Sequence, residues 1–267
     1  MTTASETDTK AVLLEIEDSL ARITLNRPEA YNSIDHDLAS QLIEALDACA
    51  ENKEVRAIIL TGAGKAFCAG QDLKEVMDPE RMPGFERLLE DRYAAIVNRL
   101  RTIEKPFVAA VNGIAAGAGA NFALACDIIV ASEKASFTQV FSAISLIPDS
   151  GGTFTLPRAI GHAKASALAM LGDKVSAEEA ERIGMIYKYF PLESFEEEVT
   201  KIGKRLAAMP TKGLGLTKRA FNEGQHNSFA EQIKVETRLQ IEASQTYDYN
   251  EGVTAFVEKR KPVFRGE

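Results

Sequence analysis

Apolar positions follow two regimes along this chain. Up to Pro191, short apolar runs alternate with helix-spaced stretches; beyond it only helical spacing remains. Residues 11–17 (AVLLEIE) and 20–26 (LARITLN) read as two strands about a turn at Asp18-Ser19, and Arg27-Pro28 ends the second. Residues 35–51 place Leu38, Leu42, Ile43 and Leu46 on one helical face, with Asp35 as cap. Residues 55–61 (VRAIILT) predict a buried strand that closes at Gly62-Ala63-Gly64. The loop FCAGQDL follows, then a two-proline stretch over 77–86. A helix is expected over 85–103, a strand over 107–111, a glycine turn with a helix near 117–125, and a strand over 127–131. This alternation predicts an α/β class. Further helices are expected over 193–208, 211–224, 228–244 and 247–259. The expected organisation is a disordered polar tail over 1–10, an α/β core over 11–192 that holds the active site, and a helical region over 193–267.

Composition narrows the function classes. The 267 residues are 45% apolar and 26% charged, which is globular composition. A net charge of −8 argues against broad nucleic-acid or anionic-membrane binding. Cys49, Cys68 and Cys126 are odd in number and lie far apart, and His36, His162 and His226 show no ligand spacing. No disulfide framework or metal site is expected, and the cytoplasm is the expected compartment. The first ten residues lack an apolar signal core. Residues 106–126 are uncharged, but Pro106, Asn112, Asn121 and three glycines break them up. They read as a buried strand, a tight turn and a closely packed helix rather than a membrane span.

The glycine turns are not phosphate loops. Gly62-Ala63-Gly64-Lys65 has Ile59 and Ala66 where a Walker A loop needs Gly and Ser or Thr, and Phe67 and Phe122 fill the third-glycine position of a dinucleotide fingerprint. A different chemistry fits. Gly70-Gln71 and Ala118-Gly119 each sit in a turn after a buried strand, and the second pair opens a helix, where backbone N–H groups are unpaired. Two such groups aimed at one point make an oxyanion hole. Spacing alone leaves open whether they converge.

The stretches FCAGQDL (67–73), KPFVAAVNGIAAGAGANFALACDIIVA (105–131) and ASFTQVFSAISLIPDSGGTFTLPRAIG (135–161) resemble the crotonase, or enoyl-CoA hydratase/isomerase, superfamily. NRPEAYNSI (26–34) and EGVTAFVEKRKPVF (251–264) fit the same resemblance. It implies a spiral of ββα units, a helical C-terminal trimerisation region and a homotrimer that can pair into a hexamer. It also implies acyl-CoA thioester substrates with no separate cofactor, coenzyme A being part of the substrate. The backbone amides of Gln71 and Ala118 are the implied oxyanion donors, with side-chain identity of little consequence. Ala69, Gly70, Asp72, Leu73, Gly117, Asn121, Phe137 and Phe141 are the implied substrate-binding positions around them. Arg27 is similar to a family position near the nucleotide. Lys259 and Arg260 read either as coenzyme A contacts for a neighbouring subunit or as surface charge.

The chain departs from the hydratases of this superfamily, which use two glutamates. Asn121 and Phe141 stand at those positions, and neither can activate water or deliver a proton. One carboxylate remains, Asp149 in Ile147-Pro148-Asp149-Ser150-Gly151-Gly152. From the residues alone it reads as a turn or cap residue. The resemblance instead gives it the place of a working acid. The F-x-x-I-x-L-I-P-D-S-G-G-T stretch resembles the ring-epoxide isomerase branch of aerobic phenylacetate degradation. That branch implies conversion of ring-1,2-epoxyphenylacetyl-CoA to oxepin-CoA and shifting of a cis-3 double bond to trans-2. Straight-chain Δ3,Δ2-enoyl-CoA isomerisation, hydration and a non-catalytic acyl-CoA-binding role are the alternatives.

Overall fold

A computed structural model describes residues 10–267, so all but the last residue of the expected tail lies outside the described residues. The first ββ pair is β1 (Val12–Glu17) and β2 (Leu20–Leu25), followed by α1 (His36–Glu51), β3 (Ala57–Gly62), β4 (Ala66–Cys68), α2 (Leu73–Val76) and α3 (Phe85–Arg87). Then come α4 (Ala95–Thr102), β5 (Phe107–Val111), β6 (Ile114–Ala116), α5 (Ala118–Ala125), β7 (Ile128–Ser132) and β8 (Ser136–Thr138). The core ends with α6 (Gly152–Ile160), α7 (His162–Leu171), β9 (Val175–Ser176), α8 (Ala177–Arg182) and β10 (Lys188–Phe190). Four helices close the chain: α9 (Leu192–Ala207), α10 (Thr211–Gly224), α11 (Phe229–Ser244) and α12 (Tyr247–Glu258). Asp35 caps α1 as expected, its carboxylate accepting from the Leu38 amide at 2.9 Å.

The strands sort into two sheets, ordered β1-β2-β3-β5-β7-β10 and β4-β6-β8-β9. In the larger sheet, β2, β3, β5, β7 and β10 pair in parallel, and β1 runs antiparallel to β2. Strands β3 and β5 are buried along their whole length, which is why AIILTG and FVAAV are near-continuous apolar runs. One face of this sheet receives α9, whose Phe195 and Val199 join Ile59, Val108 and Val130 in a core of their own. The other face packs on Leu38, Leu42 and Leu46 of α1, Ile96 and Leu100 of α4, and Phe122 of α5.

The smaller sheet was not expected from the sequence; its strands are only two or three residues long. It gives the spiral its form. The chain supplies a strand to the large sheet and then one to the small sheet three times over, as β3–β4, β5–β6 and β7–β8. Because β4, β6 and β8 are parallel neighbours, the segments leaving their carboxyl ends emerge on one side. The helix expected over 85–103 is also interrupted. Leu88–Ala94 forms a π-helical turn between α3 and α4 that buries Arg92 and Tyr93. No helix among the described residues is long and apolar enough to cross a membrane.

Asn32 ties the first turn of the spiral. It is fully buried at φ +54°, a left-handed conformation that asparagine tolerates. Its amide donates to the carbonyls of Ala63 (2.9 Å) and Ala66 (2.8 Å) and accepts from the Arg27 amide (2.9 Å). Asn32→Ala removes all three bonds and puts alanine in a left-handed conformation, so it should destabilise the fold by about 2–4 kcal/mol in urea unfolding. A loss below about 0.5 kcal/mol would show that these bonds do not hold the corner.

Candidate active site

Three loops meet at the carboxyl ends of β4, β6 and β8. After β4 the chain turns through Gly70 at φ +89°, where a methyl group would sit 2.9 Å from the Ala116 carbonyl and 3.5 Å from the Ala118 nitrogen. The two glycine turns are therefore in direct contact. Gly119 brings α5 equally close, since a methyl there would overlap the Cys68 carbonyl. Burial pushes the adjacent Cys68 thiol up to about 12, against the Gly70 amide, so it stays an inert core group.

Backbone bonds hold the chain on the approach to each of the two turns. The Ile34 amide donates to the Gly70 carbonyl (2.7 Å), and the Asp72 amide donates to the Ile34 carbonyl (3.0 Å). Gly117 donates to Thr138 (2.9 Å). The N–H groups of Gln71 and Ala118 donate to no group among the described residues. Both residues line a cavity of about 260 Å³, and Ala118 stands at the first turn of α5, where the helix dipole favours negative charge.

Asp149 lines the same cavity. The turn around it is fixed from below: Asn121 donates to the Asp149 carbonyl at 2.9 Å, and Gln139 in turn donates to Asn121 at 2.9 Å. Ser150 and Gly151 follow in left-handed conformations and start α6, which has no side-chain cap. The Asp149 carboxylate is thus not spent on capping; it accepts from the Ser150 hydroxyl at 2.9 Å. Burial raises its carboxyl above the ordinary carboxylate range, with Ser150 and its own amide opposing. Among the described residues it is the one carboxylate that lines the cavity.

The remaining candidates divide. Ala69, Gly70, Leu73, Gly117 and Phe141 line the cavity with Asp149, Gln71 and Ala118. Asn121 is fully buried beneath it and touches the site through the Asp149 carbonyl. Phe137 is packed into the main core instead of the cavity wall, because it belongs to β8 and faces inward. Arg27 lies outside the cavity, its guanidinium shared between Asp35 and Asp72 at 3.0 Å each and bonded to the Ser33 carbonyl at 2.7 Å. A phosphate at Arg27 would compete with both ion pairs. Asp72 uses its carboxylate to cap α2 through the Lys74 amide (3.0 Å). Burial works to raise its carboxyl, but Arg27, that amide and Ser33 outweigh burial and hold it below the usual range. Lys259 ends α12, exposed, at φ +55°, and Arg260 is bonded to Glu251 and Glu258.

Sequence reasoning missed the wall built by Tyr93 and Leu88, and the buried Glu75–Arg92 pair behind it. Tyr93 donates to the Gln71 side chain and packs on Phe122 with ring centroids 6.0 Å apart. Burial, and next the charge of Asp149, hold its phenol well above the ordinary tyrosine value. The i,i+4 spacing of Gln71 and Glu75 was a usable signal for part of this network; the π turn left none.

The sequence profile of the enoyl-CoA hydratase/isomerase family matches residues 15–267. The chain is 42% identical to a 1,2-epoxyphenylacetyl-CoA isomerase of Escherichia coli (strain K12), over 96% of this chain and 98% of that protein. It is equally 42% identical to a probable enoyl-CoA hydratase of Rhodobacter capsulatus, over 94% and 96%. The crystal structure of an enoyl-CoA hydratase from Bacillus anthracis superposes with a TM-score of 0.88 at 33% identity, over 96% of this chain and 100% of that one.

A raised Asp149 carboxyl has a stability consequence. The fold favours the protonated form, so the stability Asp149 contributes is complete below the unfolded value and is lost as pH rises through the folded one. Asp149→Asn should therefore raise the thermal midpoint at neutral pH, with the gain vanishing toward pH ~3. A gain that is the same at every pH would contradict burial as the cause.

Proposed function

The chain belongs to the enoyl-CoA hydratase/isomerase family, and from that premise we propose that it is an acyl-CoA isomerase with Asp149 as its proton shuttle. The observation that supports this is one cavity lined by Gln71, Ala118 and Asp149, in which Asp149 is the one carboxylate, and the Gln71 and Ala118 amides donate to no group, among the described residues. The substrate's thioester oxygen sits between the Gln71 and Ala118 N–H groups. Asp149 takes a proton from C2, and the electron pair of the broken C–H bond delocalises onto that oxygen as an enolate. Two preorganised donors stabilise the charge by a few kcal/mol each. For a cis-3 enoyl ester, Asp149 returns the proton to C4, and the double bond closes between C2 and C3. No separate cofactor enters this scheme.

Hydration calls for one group that activates water and another that delivers a proton. Phe141 and Asn121 do neither: Phe141 is part of the apolar wall, and Asn121 is buried in hydrogen bonds to Asp149 and Gln139. The apolar wall of Leu88, Val140, Phe141 and Leu146 suits an aryl group, and the Escherichia coli relative is named for 1,2-epoxyphenylacetyl-CoA. We assign the chain the same substrate, ring-1,2-epoxyphenylacetyl-CoA, with oxepin-CoA as product. The exposed Phe229, Phe256 and Val257 of the C-terminal helices fit burial in a homotrimer, where Lys259 would reach a neighbouring subunit's coenzyme A.

Incubation with epoxidised phenylacetyl-CoA and with a cis-3-enoyl-CoA, followed by mass and absorbance, should show conversion of both and negligible hydration of crotonyl-CoA. Asp149→Asn should slow double-bond isomerisation by ~10²–10⁴-fold with little change in ester binding. Full isomerase activity in that variant would return Asp149 to the status of a turn residue. Hydration as fast as isomerisation would remove the isomerase reading.

A further inference from the structure

The two unspent amides are held differently. Ala118 is fixed by α5, whose eight residues are all buried. Gln71 lies in a loop with only an isolated bridge to Ile34. Its side chain, however, is bonded at both ends. Its Nε2 donates to Glu75 Oε2 at 3.1 Å and to the Asp72 carbonyl at 3.1 Å, and its Oε1 accepts from the Tyr93 hydroxyl. Glu75 is anchored in turn, by Arg92 at 2.7 Å and by the His36 amide at 3.1 Å. The Arg92 and Glu75 side chains are only 9% and 5% exposed, so this pair is shielded from solvent.

We propose that the Gln71 side chain and Tyr93 are positioning residues that clamp the Gln71 amide for thioester activation. The expectation that side-chain identity at position 71 matters little is thereby replaced by a specific role for glutamine. Glutamine offers a donor and an acceptor on one rigid group, and both are used here. The π turn brings Arg92 and Tyr93 into the same buried wall, a use typical of such turns near functional sites. Tyr93 spends its one hydrogen on Gln71, so it supplies no proton to the cavity; the shuttle is left to Asp149. Its ring rests on Phe122 of α5, so the clamp ties the loop donor to the helix donor.

The clamp deepens the isomerase reading, yet one arm of its test needs no turnover. The probe is cinnamoyl-CoA, whose conjugated thioester absorbs at longer wavelength when its carbonyl is polarised. Wild type should red-shift the bound probe. Tyr93→Phe and Gln71→Met should each lose at least half of that shift while the probe's Kd stays within about threefold. In turnover, each should lower kcat about tenfold and leave KM nearly unchanged. The double variant should be no worse than the weaker single one, because one hydrogen bond joins the two residues. Full shift and full kcat in both single variants would overturn the clamp, as would independent, multiplying losses. A Tyr93-dependent shift in a chain without isomerase activity would uphold the clamp and remove the isomerase reading. Isomerase activity with a shift indifferent to both variants would do the reverse.

Discussion

Parallel pairing of the three short strands β4, β6 and β8 is the constraint on which the site depends. Strands in parallel register send their following loops out on one side, so residues far apart in sequence meet there without any loop having to reach. Gln71 follows β4, Ala118 follows β6, and Asp149 lies in the segment after β8. Gly70 and Gly119 set how close the first two come, because a side chain at either would meet backbone. A single inserted residue in β6 would move one donor away from the other while leaving the larger sheet intact.

The site accepts local costs for chemistry. Burial withdraws Asp149 from water, so its carboxyl is less acidic and its carboxylate a stronger base. The Gln71 and Ala118 amides are left without partners among the described residues, which most buried backbone groups avoid. Compensation lies around them. Asn121 and Gln139 hold the Asp149 turn from beneath, and the Glu75–Arg92 pair braces the loop of Gln71. Polar groups beneath the site are spent on holding backbone, and among the described residues Asp149 is the one carboxylate that lines the cavity.

Much of this was legible in the chain. Five strands of the large sheet, β1, β2, β3, β5 and β7, are apolar or alternating runs bounded by turns, and the C-terminal helices carry a clear period, so these follow from local pattern; the three-residue β10, Lys188-Tyr189-Phe190, does not. Resemblance placed Gln71, Ala118 and Asp149, and the structure brings all three to one cavity. The small sheet was not legible because two- and three-residue strands have no period to detect. Phe137 and Phe141 look alike in sequence, yet β8 turns one into the core and the next turn leaves the other on the cavity wall. Arg27 looked like a free cation in a motif; only the folded chain shows Asp35 and Asp72 on either side of it. The Tyr93 network depends on a π turn, which no glycine or proline announces.

The central claim is that one carboxylate both removes and returns the proton inside a poorly hydrated cavity. Isotope transfer tests it directly. A cis-3-enoyl-CoA carrying deuterium at C2 is isomerised in ordinary water, and the product is read by mass and by NMR at C4. A single Asp149 shuttle predicts that a substantial fraction of the label removed from C2 appears at C4. Complete loss of that label to solvent, with C4 carrying only protium, would contradict a cavity that keeps the shuttled proton from exchanging with water.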